Sequence, residues 1–157
     1  MTKTLEAIFG METQSMVGNV LQDTLYDLTA LARLIKQAHW NVVGPSFRSV
    51  HLHLDEIYAF VDQQIDSVAE RLAAIGVPPS GQSAEVAENT KHLQIPLGTL
   101  RDVQVVDLMT ERLSTVVRNI RTRCEVIEDI DVVTADMFHS ILQKLEMHLW
   151  MIRSQGC

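Results

Sequence analysis

Residues 36–55 have the sequence KQAHWNVVGPSFRSVHLHLD, and this stretch decides how the chain folds. It joins the end of one amphipathic helix to the start of another through a very short turn. Gly44 and Pro45 end the first helix, because proline cannot continue the helical hydrogen-bond ladder and glycine can adopt a left-handed cap. Ser46 is a suitable N-cap for the next helix. The two helices must therefore lie side by side.

Helical periodicity extends outward from this turn in both directions. Apolar residues recur at helical spacing in four long segments and one short one, which predicts helices over about 13–43, 46–75, 84–88, 102–127 and 135–153. Ser83 and Thr134 are the predicted N-caps of the short helix and of the last helix. Alternating β-branched segments bounded by turns are absent, so no strand is predicted.

The lengths of the connections indicate how the helices are arranged. The first two long helices are joined by a tight turn, whereas the second and third are joined by a long connection that holds the short helix. This pattern predicts an all-α, ferritin-like four-helix bundle with a long crossover containing a short extra helix. We expect residues 1–157 to form a single domain, since 46% hydrophobic residues are enough for one core.

Composition excludes several classes of protein. No run of roughly 18 apolar residues could span a membrane, and the first residues lack the pattern of a secretory signal. Two cysteines, Cys124 and Cys157, are too few for a disulfide scaffold, so we expect a reducing cytoplasm. The formal charge of −7 argues against a general affinity for nucleic-acid phosphates and favours binding of cations.

The second predicted helix carries two pairs of metal-ligand residues at i, i+4 spacing. His51 is paired with Asp55, and Asp66 is paired with Glu70. At about 100° per residue, all four lie within an arc of roughly 100° on one face of the helix. His39, near the end of the first helix, is brought beside them by the tight turn. Imidazole and carboxylate ligands together suit iron or another first-row divalent metal.

The two pairs are too far apart to bind one ion within a single chain. His51 and Asp66 are separated by roughly 22 Å along a helix axis. They can meet if two copies of the helix run antiparallel across a two-fold axis, crossing near Phe60 and Val61. Such an isologous contact is the commonest symmetric interface and generates two identical sites per dimer.

Each pair also has a simpler interpretation. A single His/Asp pair at i, i+4 spacing often just faces solvent, and Asp66 with Glu70 could form an exposed charged stripe that pairs with Arg71. Asp62 lies in the same arc, so the face is not purely one of ligands.

Taken together, the segments around these residues resemble the Dps family (DNA-binding proteins from starved cells). The resemblance covers nearly the whole chain and includes the short helix in the crossover. It is carried by Lys36-Gln37-Ala38-His39-Trp40-Asn41-Val42-Val43-Gly44, Phe47, Val50-His51, Leu54-Asp55, Asp66-Ser67-Val68-Ala69-Glu70-Arg71, Thr134-Ala135-Asp136-Met137 and His148-Leu149-Trp150-Met151.

This resemblance implies a hollow dodecamer built from two-fold dimers, with a ferroxidase centre at each dimer interface. His39, His51 and Asp55 would come from one subunit, and Asp66 and Glu70 from its two-fold mate. The implied activity is oxidation of Fe(II), with hydrogen peroxide preferred to oxygen, and storage of ferric mineral inside the cage. The implied role is protection against oxidative stress.

Further roles follow from the same resemblance. Trp40 would quench stray oxidising equivalents near the iron site; the alternative is a packed aromatic at a helix end. Asp131 and Asp136 would line a three-fold pore through which iron enters, although Val132 stands where some members carry another acid. The Glu-x-x-His pattern of larger ferritins is absent, since Glu146 and His148 have the wrong spacing, and this favours the miniferritin.

Two other functions remain open on this fold. One is compaction of DNA, which part of the family achieves with a lysine-rich N-terminal tail. Here Lys3 is the only basic residue of the tail, and it is opposed by Glu6 and Glu12. A dodecamer of subunits that each have a formal charge of −7 would have a total formal charge of −84. Direct DNA binding is therefore expected to be absent or weak. The other uses the same ligands for zinc, which can substitute for iron, either structurally or in metal-assisted hydrolysis.

Overall fold

The computed structural model describes residues 8–156. The predictions about the N-terminal segment and Cys157 therefore concern residues outside the described range. The regular elements, in chain order, are helix α1 (Met11–Asn41), strand β1 (Val42–Val43), helix α2 (Phe47–Ala74), helix α3 (Ser83–Asn89), strand β2 (Leu100–Arg101), helix α4 (Asp102–Ile127), helix α5 (Val132–Arg153) and a final 3-10 turn (Ser154–Gly156).

The four long helices form the predicted bundle. Helix α1 packs mainly on α2, and α4 mainly on α5. The two residues just after α1 pair with the two residues just before α4 as a parallel two-stranded ladder, so α2 and α4 start from the same end of the bundle. The connection 75–99 must therefore return the chain along the whole of α2, a distance of roughly 42 Å at 1.5 Å per residue. This confirms the all-α, ferritin-like bundle with a long crossover that contains a short helix.

The expectation that the chain has no strand was wrong at one place. Helix α1 ends at Asn41, two residues earlier than predicted, because Val42 and Val43 become extended. They pair in parallel with Leu100 and Arg101, with Val42 opposite Leu100. The pairing joins segments far apart in sequence, and no local pattern marks it.

The predicted helix caps also need correction. Ser46 occupies the N-cap position of α2, as predicted. The N-cap of α3 is Gln82 and not Ser83. Neither the Ser46 nor the Gln82 side chain makes a capping hydrogen bond. Helix α5 begins at Val132, three residues before the predicted start. Its N-cap is Asp131, not Thr134, because the Asp131 carboxylate accepts a hydrogen bond from the backbone N–H of Val133.

The core is aliphatic and lies along the bundle axis. Each long helix contributes residues with no exposed surface, among them Leu28, Ile57, Val116 and Ile141. Trp150, which as a large aromatic residue of the last helix would be expected in the core, is instead 62% exposed on the subunit. Cys124 is buried among these residues as a free thiol, and burial raises its pKa. Within the described range, no helix is long and apolar enough to cross a membrane.

Candidate metal centre

His39 and His51 face each other across the turn between α1 and α2. His39 lies in the last turn of α1 and His51 in the second turn of α2. Their rings stack with centroids 3.6 Å apart and planes inclined by 21°. The tight turn predicted from Gly44 and Pro45 therefore brings the two imidazoles together.

The hydrogen bonds of the two rings are reciprocal. Nδ1 of His39 lies 3.0 Å from the carbonyl oxygen of His51, and Nδ1 of His51 lies 3.0 Å from the carbonyl oxygen of His39. A carbonyl oxygen can only accept, so each Nδ1 carries the proton and donates it. Each neutral ring then keeps the lone pair of Nε2 for a metal ion. Fixing the tautomer through the second nitrogen is the usual way that proteins orient a histidine ligand.

Asp55 completes the cluster on the same side of α2. One ligand atom from each of His39, His51 and Asp55 lies within 4.8 Å of the others. The Asp55 side chain is 44% exposed, and its Oδ1 lies 2.6 Å from the ammonium of Lys36 and 3.4 Å from Nδ1 of His39. The hydrogen bond from the Lys36 ammonium, reinforced by its positive charge, lowers the pKa of Asp55. The cluster therefore offers two imidazoles and an ionised carboxylate, and it is open to solvent at Asp55.

Asp66 and Glu70 lie at the other end of the same continuous helix. Both are exposed, and along the helix axis Asp66 lies roughly 22 Å and Glu70 roughly 28 Å from His51. Neither makes a hydrogen bond or an ion pair with another residue of the described range. Arg71 does not pair with them, since its guanidinium donates to Asp131 at 2.8 Å and to Thr134 at 3.1 Å. The subunit thus brings together three of the five predicted ligands and leaves two carboxylates without partners.

The predicted tryptophan and pore residues differ in their surroundings. Trp40 is 70% exposed, so within the subunit it is not the packed aromatic of the alternative interpretation. Asp136 is exposed in the first turns of α5. Asp131 is only 5% exposed, and its carboxylate accepts hydrogen bonds from Arg71, Thr134 and the backbone of Val133. Burial raises the pKa of Asp131, but the hydrogen bonds from Thr134 and Arg71 and the charge of Arg71 together lower it below its ordinary value. Asp131 is therefore fully engaged within its own subunit as the cap of α5, and a pore would depend on Asp136.

Two histidines that the sequence assigned to no site form a buried pair. The amide nitrogen of Gln155 donates to Nδ1 of His53 at 2.8 Å, so the proton of neutral His53 lies on Nε2. This nitrogen donates to Nδ1 of His148 at 3.2 Å. Nε2 of His148 is left with no partner within the described range. The pair spans the interface between α2 and α5, on the opposite side of α2 from the ligands.

Two further residues near the cluster, Lys36 and Asp102, were not predicted from the sequence to act there. Lys36 precedes His39 by one helical turn, and its ammonium also lies 4.5 Å from the centre of the Tyr58 ring. Asp102, the first residue of α4, accepts a hydrogen bond from the backbone N–H of Ser46 at 2.6 Å. Only the i, i+3 spacing of Lys36 and His39 could have suggested that the lysine faces the site.

The sequence of this chain is similar to those of known proteins over most of its length. A family model described as a ferritin-like domain matches residues 18–155. The DNA protection during starvation protein 2 of Deinococcus radiodurans is 32% identical over 145 residues, and the DNA protection during starvation protein of Agrobacterium fabrum is 31% identical over 142 residues. These matches cover 92% and 90% of this chain, and 60% and 88% of the two relatives.

The fold matches solved structures closely. The tetragonal form of Mycobacterium smegmatis Dps superposes with a TM-score of 0.92 at 27% identity, covering 99% of this chain and 94% of that one. The Deinococcus radiodurans Dps92 crystal structure superposes with a TM-score of 0.89 at 31% identity, covering 92% and 87%. The similarity therefore extends over the bundle and the crossover together.

Proposed function

This chain belongs to the Dps family of ferritin-like proteins, and from that premise we propose that it is a ferroxidase that oxidises Fe(II) and stores the ferric product. Its substrate ions would bind at centres shared between two subunits of a hollow homododecamer. The mineral would form inside the cage and so withdraw reactive iron from the cytoplasm.

The observation that carries this proposal is the arrangement of His39, His51 and Asp55. Both imidazoles donate Nδ1–H to a carbonyl oxygen, so both Nε2 atoms are available as ligands beside an ionised carboxylate. Histidine and carboxylate together favour first-row divalent ions such as Fe(II) over the hard ions Mg²⁺ and Ca²⁺.

The other half of the centre would come from a second subunit. Asp66 and Glu70 are exposed and make no hydrogen bond or ion pair within residues 8–156 of their own subunit. A two-fold axis that crosses α2 near Phe60 and Val61 would bring them opposite His51 of the partner and would create two equivalent centres per dimer. Such a site would hold two imidazoles and three carboxylates, enough to ligate a pair of iron ions.

A pair of irons suits the reaction with hydrogen peroxide. Each Fe(II) gives up one electron, the O–O bond of the peroxide breaks, and the two oxygens leave as hydroxide or, after protonation, as water. Because both electrons are delivered at one site, no hydroxyl radical needs to be released. Trp40, exposed and next to His39 in the chain, would intercept an oxidising equivalent that escapes. Asp136, exposed near the start of α5, would guide Fe(II) through a pore.

Anaerobic titration with Fe(II), followed by hydrogen peroxide and separately by oxygen, tests the proposal. We expect saturable Fe(II) binding and rapid oxidation by peroxide, with slower oxidation by oxygen. His51→Ala should lower the oxidation rate by at least tenfold. His92→Ala is the matched control, because His92 is 46% exposed and lies outside the cluster. Equal rates in the two variants would contradict the assignment of the site.

Zinc is the second candidate for the same ligands, because His and carboxylate groups also bind it. If zinc were the resident ion, the purified protein would retain it after dialysis, and added Fe(II) would be neither bound nor oxidised. Zinc that merely competes with Fe(II) would slow oxidation reversibly, and this is the result that we expect.

A further inference from the structure

The turn that brings His39 and His51 together is held by a residue from a different helix. Asp102 is the first residue of α4, and only 4% of its surface is exposed. Its Oδ2 accepts the backbone N–H of Ser46 at 2.6 Å, and its Oδ1 accepts the backbone N–H of Val103 at 3.0 Å. The bond from Ser46 is the main cause of the lowered pKa of Asp102.

Gly44 provides the space for this carboxylate. Its φ of 140° is a backbone conformation that residues with a Cβ rarely adopt. A Cβ at this position would also overlap the carboxylate carbon and oxygens of Asp102. The glycine predicted as a helix stop therefore has a second purpose, which is to let an acidic side chain enter the turn.

Two backbone pairings lie directly beside this contact. Val42 pairs with Leu100 and Val43 with Arg101 in the parallel ladder of β1 and β2. Together with the Asp102–Ser46 hydrogen bond, this ladder forms what we call the turn clamp. It fixes the end of the crossover to the 42–46 segment, and thereby fixes the end of α1 relative to the start of α2.

The ligand geometry depends on that relationship. The two reciprocal hydrogen bonds of His39 and His51 require the last turn of α1 and the second turn of α2 to keep one axial register. A slip of α2 by one residue would move His51 by about 1.5 Å along the axis and turn it by about 100°. Both hydrogen bonds would then break, and the two rings would lose the orientation that these bonds fix.

We propose that Asp102 is a positioning residue of the metal centre, acting on His39 and His51 through the backbone of Ser46. This inference rests on the proposed function, since it concerns the same site. It assigns to the end of the crossover a role in metal binding, even though Asp102 contacts no ligand side chain.

A competing explanation is that Asp102 only stabilises α4, as a negative charge favours the positive end of a helix dipole. Two conservative variants separate the explanations. Asp102→Asn loses the charge but keeps an oxygen that can accept the Ser46 N–H. Asp102→Glu keeps the charge at the start of α4 but displaces the carboxylate by one methylene group, away from Ser46.

The test is Co(II) binding to the assembled, metal-free protein, measured by titration and by the visible absorption of the bound ion. If Asp102 positions the ligands, Asp102→Glu should weaken Co(II) binding by about 10- to 100-fold, the usual range for a residue that orients ligands from outside the coordination shell. The absorption spectrum should change as well. Asp102→Asn should stay within about threefold of the wild type, because it retains one acceptor for the turn.

Val116→Ala is the control for loss of stability alone. Val116 is fully buried in the middle of the same helix, far from the turn, so its truncation should lower the melting temperature and leave Co(II) affinity and spectrum unchanged. The inference is overturned if Asp102→Glu binds Co(II) as tightly as the wild type, or if Asp102→Asn binds Co(II) more weakly than Asp102→Glu. It is also overturned if Val116→Ala loses as much Co(II) affinity as Asp102→Glu. Failure of the wild type itself to bind Co(II) would instead count against the proposed function.

Discussion

The ammonium group of Lys36 lies 2.6 Å from Oδ1 of Asp55, so one of the three clustered ligands is already bound to a cation. The lysine also packs over the ring of Tyr58, which keeps it directed at the site. An arriving metal ion must therefore compete with an internal positive charge. This arrangement satisfies the carboxylate when metal is absent, and it should weaken the binding of metal when metal is present.

Removal of this charge should tighten metal binding. Because the pair is partly exposed, its contribution is that of a surface ion pair, and we expect Lys36→Met to increase Co(II) affinity by about two- to fivefold. The gain should shrink at high ionic strength, since salt screens the competing charge. Titrations at low and high salt measure both effects, with Lys144→Met as the control for general loss of a lysine. Weaker binding in Lys36→Met would mean that the lysine supports the site instead of competing for it.

The buried pair of His53 and His148 should make the fold sensitive to acid. Burial, reinforced by the charges of His53 and Lys144 and only partly opposed by Glu56, lowers the pKa of His148 to about 4. The ordinary histidine pKa is about 6.5, so between these values the unfolded chain binds a proton that the folded chain does not. Stability should therefore fall as the pH decreases from about 6.5 to 4, by at most about 1.4 kcal/mol per pH unit for each subunit.

The variant His148→Asn isolates this effect. An asparagine can still accept the hydrogen bond from His53 but does not titrate, so its melting temperature should decline less steeply between pH 6.5 and 4.5 than that of the wild type. His139→Asn, at a half-exposed position, should follow the wild type. If His148→Asn and the wild type decline in parallel, the acid sensitivity arises from other groups.

The entry of iron should depend on Asp136. If this exposed carboxylate guides Fe(II) into the cage, Asp136→Asn should slow iron uptake by up to about tenfold at low ionic strength, with a smaller effect in high salt. The oligomeric state of Asp136→Asn and its rate of oxidation at saturating Fe(II) should stay unchanged. Glu88→Gln, which removes an exposed charge from α3, is the control. An uptake rate of Asp136→Asn equal to that of the control at every salt concentration would place the route of entry elsewhere.

Direct binding of DNA is expected to be absent at neutral pH. The formal charge of −7 per chain repels another polyanion, although relatives of this chain are named for protection of DNA. The metal-free protein should not retard duplex DNA in a gel at about 0.1 M salt, a concentration at which phosphate contacts are still strong. A salt-sensitive shift without metal would refute this prediction. A shift that requires Mg²⁺ or Fe²⁺ would indicate bridging ions.

Much of this molecule follows from local patterns in the sequence. The features that local patterns did not predict have two physical causes, and the first is contact between residues far apart in the chain. The periodicity of apolar residues gave helix α4 its correct ends, and the Gly44-Pro45 stop predicted that His39 and His51 would meet. The bond between Asp102 and Ser46 joins residues 56 positions apart. Such a contact depends on how the whole crossover returns, and local propensity carries no information about it.

The exposed Trp150 illustrates a second cause. Its position in α5 is compatible with helical periodicity, and a large aromatic residue is usually placed inside. Periodicity identifies an apolar face but does not say whether the subunit itself covers that face. Asp131 makes another contact that local patterns did not predict, because its carboxylate accepts a hydrogen bond from Arg71, 60 residues away in the sequence.

The sharpest prediction is that the metal centre is built from two subunits. Helix α2 is continuous from Phe47 to Ala74, so no bending within a folded subunit can bring Asp66 to His51 across roughly 22 Å. Two double variants should therefore be inactive for complementary reasons: one with His39→Ala and His51→Ala, the other with Asp66→Ala and Glu70→Ala. Each should still assemble, because all four residues are at least partly exposed.

When the two variants are unfolded together and reassembled, a mixed dimer pairs the intact imidazoles of one subunit with the intact carboxylates of the other. One of its two sites is then complete and the other lacks both halves. Random mixing makes about half of the dimers mixed, so about a quarter of the wild-type rate of Fe(II) oxidation should return. Each variant unfolded and reassembled alone gives the background. If cages verified to contain both variants show no more activity than this background, the five ligands do not combine across a two-fold axis, and the ferroxidase centre must be sought within one subunit.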